Sequence, residues 1–348
     1  MDEIDQYDYE LPRELIAQEP VANRVDARLL VVDRAQGSLE HRYIRDLPEI
    51  LRPGDCLVLN ETRVVAARLV GRRRSTGGHW EGLFLESAPQ RFWRLLCKTR
   101  GKLGGGERIA LVNARGQEDI DLELATKQPD GSWIARPDST EETFALLERV
   151  GRVPLPPYIR KGEMVPSDRK NYQTVFARCP GAIAAPTAGL HFTHRLLGQL
   201  EQRGVVLCRL VLHVGAGTFR PVTAARLADH KLDAEWGQLG QEAVDQLASC
   251  RGRGGRVVAV GTTSVRVLET AAADGTPKPF TGYTDLLIRP PYQFRAVDAL
   301  LTNFHLPRTT LLVLVRTFGG DELIQRAYAE AIREKYRLYS YGDAMLVL

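Results

Sequence analysis

The sequence is poor in several features that would assign its class at once. Its five cysteines, Cys56, Cys97, Cys179, Cys208 and Cys250, are scattered, odd in number and free of any CxxC pair. That argues against a disulfide framework or a zinc knuckle and suits a reducing compartment. No HExxH and no His/Cys ligand spacing occurs, so no metal is expected. No GxxxxGK[ST] occurs, which excludes the phosphate-loop NTPases, and there is no GxSxG. Long apolar runs are missing too. Thr309 to Val315 is far shorter than a membrane span, and the acidic start MDEIDQYDYELP lacks the apolar core of a signal peptide. A soluble cytoplasmic protein is expected.

What is present is ordinary in bulk. Hydrophobic residues make up 44% and charged residues 26%, as in soluble globular proteins. The net charge of +4 permits a polyanionic partner without arguing for one. A chain of 348 residues is long for one domain and natural for two.

The texture of the chain changes twice. Arg28 to Asp33 and Ser38 to Tyr43 flank a turn and read as a hairpin, Arg45 to Leu51 as a short helix, and Cys56 to Leu59 as a buried strand. From Arg63 to about Phe144 strand-like runs dominate: VVAARLVG, EGLFLES, RFWRLLCK, ERIALV, IDLELAT and SWIARP. Glycine-rich turns separate them, which predicts a small barrel with Trp80, Trp93 and Trp133 in its core or rim. After the linker-like RVPLPP, strands alternate with helices. Val205 to Val214 and Arg256 to Val260 read as strands. Gln241 to Arg251, Thr263 to Ala273 and Asp321 to Tyr336 read as helices, and a further strand is expected after Asp285. The predicted fold is an α/β main domain with a mixed sheet (1–60 and 150–348), interrupted by an inserted β-barrel domain (61–149).

Several motifs could carry chemistry. GAIAAPTAGLHFTH, Gly181 to His194, is a run of small residues before a helix expected from Thr193 to Arg203, which Thr187 or Thr193 could cap, with free amides and a nearby imidazole. HVGAGTF, His213 to Phe219, is a glycine turn leaving a strand. It lacks the third glycine of the dinucleotide fingerprint and the acidic residue of a common methyltransferase loop. VGTTSVRVLE, Val260 to Glu269, places hydroxyls at a helix start, where an anion or a ribose could bind. Each has a plainer reading as a tight loop, a turn or an N-cap. Arg266 and Glu269 could simply pair along their helix. Tyr339 to Met345 could line a pocket or be a turn before a last strand. Basic clusters at Arg72-Arg73-Arg74, at Arg91, Arg94, Lys98, Arg100 and Lys102, and at Arg160-Lys161 with Arg169-Lys170 read either as solvated rims or as contacts for RNA phosphates.

Together these blocks resemble one family. NETRVVAARL, YIRKGE with DRKNYQTVFA, AAPTAGLHFT, LHVGAGTFRPV, VGTTSVRVLE, TDLLIRPPYQF, LLTNFHLPRTTLLVLV and YRLYSYGDAMLVL match, in order, the S-adenosylmethionine:tRNA ribosyltransferase-isomerases of the queuosine pathway. The likeness runs from YDYELP to the last residue. It departs at Glu61, where the family usually has Asp, and at Pro291, where it usually has Gly. The resemblance implies transfer and isomerisation of the ribosyl part of S-adenosylmethionine onto 7-aminomethyl-7-deazaguanine in the wobble position of a tRNA with a GUN anticodon. Epoxyqueuosine forms, and adenine and methionine are released. S-adenosylmethionine is then a consumed substrate, no cofactor is needed, and a monomer is expected.

Removal of a C5′ hydrogen beside the sulfonium needs a base, and histidine fits that role. The candidates are His191, His213 and His305, with Asp285, Glu269 or Asp343 to orient them or to hold ribose hydroxyls. Substrate binding is expected from Thr187, Ala188, Gly189, Gly215, Gly217, Thr218, Thr262, Thr263, Ser264, Arg266, Asn303, Tyr341 and Asp343. Contacts to tRNA are expected from Arg63, Arg160, Lys161, Arg169 and Lys170. The rival readings are a methyltransferase using the same substrate and a noncatalytic RNA-binding protein built on the barrel.

Overall fold

The computed structural model describes residues 2–219, 222 and 224–348, without the side chains of Thr218 and Phe219. Its larger lobe is a nine-stranded mixed sheet. In spatial order the strands are Phe280–Thr284, Glu235–Leu239, Val206–Leu212, Cys56–Asn60, Val257–Val260, Ala299–Asn303, Ala344–Val347, Arg28–Asp33 and Ser38–Tyr43. The four strands from Val206–Leu212 to Ala299–Asn303 run parallel. Both faces of their centre are covered, so Cys56–Asn60, Val257–Val260 and Ala299–Asn303 are buried at every residue and are apolar until the polar ends Asn60, Thr302 and Asn303. One face packs on the helices Gln241–Gly252, Thr262–Ala271, Thr310–Gly319 and Asp321–Arg333. The other packs on His194–Gln202 through Leu196, Leu197 and Leu200.

The smaller lobe is a closed antiparallel barrel of six strands between Arg68 and Pro137, one for each strand-like run of the sequence. Its strands alternate buried and open residues, as in His79–Ser87, so one side of each faces the interior. Trp80, Trp93 and Trp133 are all buried in that interior with Phe84, Leu95 and Leu122. The helix Thr143–Val150 plugs the barrel with Leu146, Leu147 and Val150, and Trp93 Nε1 donates to Thr143 Oγ1 at 3.2 Å.

The chain leaves the sheet at Asn60 and returns along Cys179–Ala182, which pairs in parallel with Thr62–Val64. The two crossings tie the lobes together where the parallel strands end. The architecture is therefore the predicted mixed α/β sheet with a β-barrel, but one local expectation fails and two elements went unread. The strand near Asp285 precedes it, as Phe280–Thr284, because FTGYT carries no long apolar run to mark it. Glu235–Leu239 is an additional strand. Residues 143–150 are helical because Leu146, Leu147 and Val150 recur at helical spacing.

Candidate active site

The parallel strands end at Asn60, Leu212, Val260 and Asn303, and a cleft of about 450 Å³ opens beyond them. This is where open α/β sheets bind ligands. Ala184 to Ala188 line one wall and His305 to Thr309 the other, while Gly261, Thr262, Thr263 and Asn303 lie between. Glu235 and Arg266 stand toward the edge of the sheet, and Tyr158, Tyr172 and Tyr339 toward its middle.

Local sequence explains how these groups are held. Asn60 is a buried clamp. Its Oδ1 accepts from Thr62 N at 3.1 Å and Leu212 N at 3.0 Å, and its Nδ2 donates to Leu212 O at 3.0 Å and Thr263 Oγ1 at 3.2 Å. Gly261 has φ 85°, a left-handed geometry that lets the strand turn straight into the helix Thr262–Ala271. Asn303 Nδ2 donates to Tyr339 O at 3.2 Å and lies 3.3 Å from His191 Nε2, while its Oδ1 is buried with no hydrogen-bond partner among the described residues. An orphaned buried acceptor is costly, and it calls for a donor from a ligand.

Arg266 and Glu235 form a buried ion pair. Arg266 also donates to Thr284 O at 3.0 Å and Leu286 O at 3.2 Å, and Glu235 Oε1 accepts from Gly215 N at 2.8 Å. These bonds offset the desolvation of both charges. Arg266 thus pairs across the sheet edge rather than with Glu269, whose carboxylate accepts from Arg295 N, Ala296 N and Tyr292 Oη.

His305 faces the cleft with Nε2 2.8 Å from Thr302 Oγ1, and burial lowers its pKa to about 4. Thr302 Oγ1 also donates to Asn303 O at 3.3 Å. In the tautomer compatible with that bond, Nε2 donates to Thr302 Oγ1 and Nδ1 keeps the lone pair. His191 is buried behind Asn303. Burial first, and then the charge of Arg24, lowers its pKa to about 4 as well.

Comparison with known proteins decides the family. Residues 4–347 match the family described as queuosine biosynthesis protein. The chain belongs to the queuosine biosynthesis protein family. Among proteins named S-adenosylmethionine:tRNA ribosyltransferase-isomerase, it is 50% identical to that of Symbiobacterium thermophilum over 344 residues, 98% of each chain. It is 51% identical to that of Acidiphilium cryptum over 345 residues, again 98% of each. A crystal structure of S-adenosylmethionine tRNA ribosyltransferase from Thermotoga maritima matches 99% of this chain and 100% of its own, at 37% identity and a TM-score of 0.56. Family membership makes the chain an enzyme of queuosine biosynthesis.

The queuosine-family cleft gathers only part of what the sequence singled out. His305, Thr187, Ala188, Thr262, Thr263, Arg266 and Asn303 line it. Gly189 sits behind its wall, where a Cβ would meet Phe176 and Thr174 at 2.9 Å. Ser264 Oγ is spent on Val260 O at 2.8 Å. Gly215 contributes its amide to Glu235, and Gly217 lies against Asp233. The side chain of Thr218 lies outside the described residues. His213 does not line the cleft; its Nδ1 is 2.7 Å from Thr62 Oγ1 and its ring stacks on Trp236. Asp285 is exposed and away from the cleft. Tyr341 is buried and donates to Asp168 at 2.7 Å. Asp343 is buried as an acceptor for Arg28 N and Arg337 N, and burial raises its pKa.

The basic candidates also divide. Arg160 is paired with the buried Asp168, whereas Arg63 at 3.4 Å and Arg169 at 2.9 Å share Glu148, and Lys161 and Lys170 are exposed. Glu61 lies 3.7 Å from Arg209 and 4.0 Å from Arg178. Pro291 stands in an exposed turn outside the cleft. Sequence reasoning missed Glu235 and Tyr158. The first begins an unrecognised strand, and the second directly follows what read as a linker. Among the described residues no group of three or more His, Cys, Asp or Glu could hold a metal, and no helix is long and apolar enough to cross a membrane.

Proposed function

We propose that the chain is an S-adenosylmethionine:tRNA ribosyltransferase-isomerase. It transfers the ribosyl moiety of S-adenosylmethionine onto 7-aminomethyl-7-deazaguanine in the wobble position of a tRNA with a GUN anticodon, isomerises it, and releases adenine and methionine as epoxyqueuosine forms. It acts as a monomer. Residues 1–60 and 150–348 form the S-adenosylmethionine-binding unit, and 61–149 the inserted barrel. One observation carries this reading beyond family membership. A single cleft at the carboxyl ends of the parallel strands joins an imidazole, an orphaned acceptor, an aromatic wall and a buried carboxylate.

The chemistry assigns roles. The sulfonium acidifies the C5′ hydrogens, and Nδ1 of His305 takes one of them. Burial keeps that imidazole unprotonated at neutral pH and makes its conjugate acid a ready donor to the departing adenine. The tRNA amine attacks the ribosyl carbon, and methionine leaves as the epoxide closes. The walls exclude water that would otherwise compete. His191 acts behind Asn303, holding the amide in place. Exposed Lys161 and Lys170, with Arg63 and Arg169, supply phosphate contacts.

Product analysis tests the proposal. Incubation with S-adenosylmethionine and tRNA carrying the 7-aminomethyl base yields adenine and methionine in equal amounts. Formation of S-adenosylhomocysteine would instead establish a methyltransferase.

A further inference from the structure

The open edge of the sheet carries a row of aromatic side chains that no role above uses. Tyr283 pairs in register with Trp236, and His213 N donates to Trp236 O at 2.9 Å. Three neighbouring strands or strand ends therefore bring Tyr283, Trp236 and His213 side by side. Alternation along the strand sends Glu235 to the cleft and Trp236 to the opposite face. The helix Thr262–Ala271 packs on the other side of this edge, where Gly237 meets Val267. On the row's own face Tyr283 is 67% exposed and Trp236 is half-buried, while the imidazole of His213 lies against Gly181. The rings of His213 and Trp236 are stacked, 5.1 Å apart and 20° from parallel.

Cations flank the row. Arg209 lies on the same face as His213, four residues earlier along the strand. Arg178 reaches the same carboxylate, and both guanidiniums lie 3.7–4.0 Å from Glu61, beyond hydrogen-bond length. Arg178 is the more open of the two, whereas Arg209 is half-buried with its Nη1 turned inward beside Glu61. Two guanidiniums held loosely by one carboxylate leave net positive charge on this face of the sheet.

We infer that this face is a stacking platform for unpaired bases of an RNA, with Arg209 and Arg178 taking the phosphates between them. An exposed ring beside a stacked pair offers a π-face to an unstacked base, and guanidiniums follow the backbone. The inference rests on the tRNA reading above and names where the anticodon loop lies. Its bases cross the outer face of the strand that carries Glu235, one side chain away from the cleft.

The test uses the full chain and full-length tRNA. Tyr283→Ala weakens tRNA binding roughly 5- to 150-fold, the range for loss of one stacked base, while Tyr283→Phe stays within about twofold of the parent. S-adenosylmethionine binding by calorimetry is unchanged in both. Of the four tryptophans, Trp80, Trp93 and Trp133 are buried in the barrel, so quenching of tryptophan fluorescence by tRNA reports Trp236 and disappears in Trp236→Phe. Arg178→Ala lowers the slope of log affinity against log salt by about 0.7. Unchanged tRNA affinity in Tyr283→Ala overturns the platform and leaves the enzyme assignment standing. Absence of adenine release by the parent chain removes the assignment instead. Sedimentation as a dimer that Tyr283→Ala dissociates would give the face to a second copy of the chain and also overturn the inference.

Discussion

The barrel and the carboxyl edge of the sheet use charge in opposite ways. In the barrel Arg73 meets Glu107, Arg74 meets Glu118 and Asp121, Arg94 meets Glu86 and Asp130, and Arg136 meets Glu123. Most of these pairs are exposed, and each satisfies itself within the lobe. At the carboxyl edge Asn60, Asn303, Glu235 and Arg266 are buried and held by backbone groups, and the last three line one cleft. A run of arginines in the sequence therefore carried less functional information than a buried asparagine. Ion pairs on the barrel surface shape that surface, whereas the buried polar groups at the strand ends position the lining of the cleft.

The contrast can be broken most sharply at His305. Alanine there should cost about 10²- to 10⁴-fold in kcat for adenine release, the usual contribution of general base catalysis. Circular dichroism should show a folded chain. The barrel counterpart is Trp93→Ala, which should cost about 3–5 kcal/mol in urea denaturation, because a buried indole leaves a cavity. Its S-adenosylmethionine affinity, measured below the unfolding range, should hold. Arg266→Ala should destabilise by about 3–5 kcal/mol, since it strands the buried Glu235 carboxylate, and should also abolish S-adenosylmethionine binding by calorimetry. Replacing both partners by Gln and Met should recover much of the stability but not the binding.

A pH titration sharpens the same comparison. His191 and His305 have pKa values of about 4 in the fold against 6.5 for a free imidazole, so protonation favours the unfolded chain. Their contribution is complete above about pH 6.5 and is lost as pH falls toward 4, on the order of 3 kcal/mol for each. Denaturation midpoints across pH 4 to 7 check this, and His305→Ala should flatten part of the slope. The smallest effect belongs to the barrel surface. Arg94→Ala should leave tRNA and S-adenosylmethionine binding unaltered and move the melting temperature by no more than about 2 °C.

Legibility in the sequence followed the same division. Local signals were readable. Thr193 caps its helix by accepting from Leu196 N at 3.1 Å, the Arg28–Tyr43 hairpin forms, and all six barrel strands appear. Nonlocal arrangement was not. Nothing in Ala344–Val347 announces that it slots between Ala299–Asn303 and Arg28–Asp33, because register across distant segments leaves no local trace. Residue types at the site were readable in the same limited sense. His191, His305 and Asp343 are equally polar as letters. Only packing shows that His305 faces the cleft, that His191 stands behind Asn303, and that Asp343 is consumed by two backbone amides.

The most direct measurement follows deuterium. S-adenosylmethionine incubated with the chain and tRNA in D₂O, then recovered and weighed by mass spectrometry, should carry deuterium at C5′ with the parent chain and none with folded His305→Ala. Undiminished exchange in His305→Ala, together with its loss in His213→Ala, would contradict a base presented by the wall of the cleft.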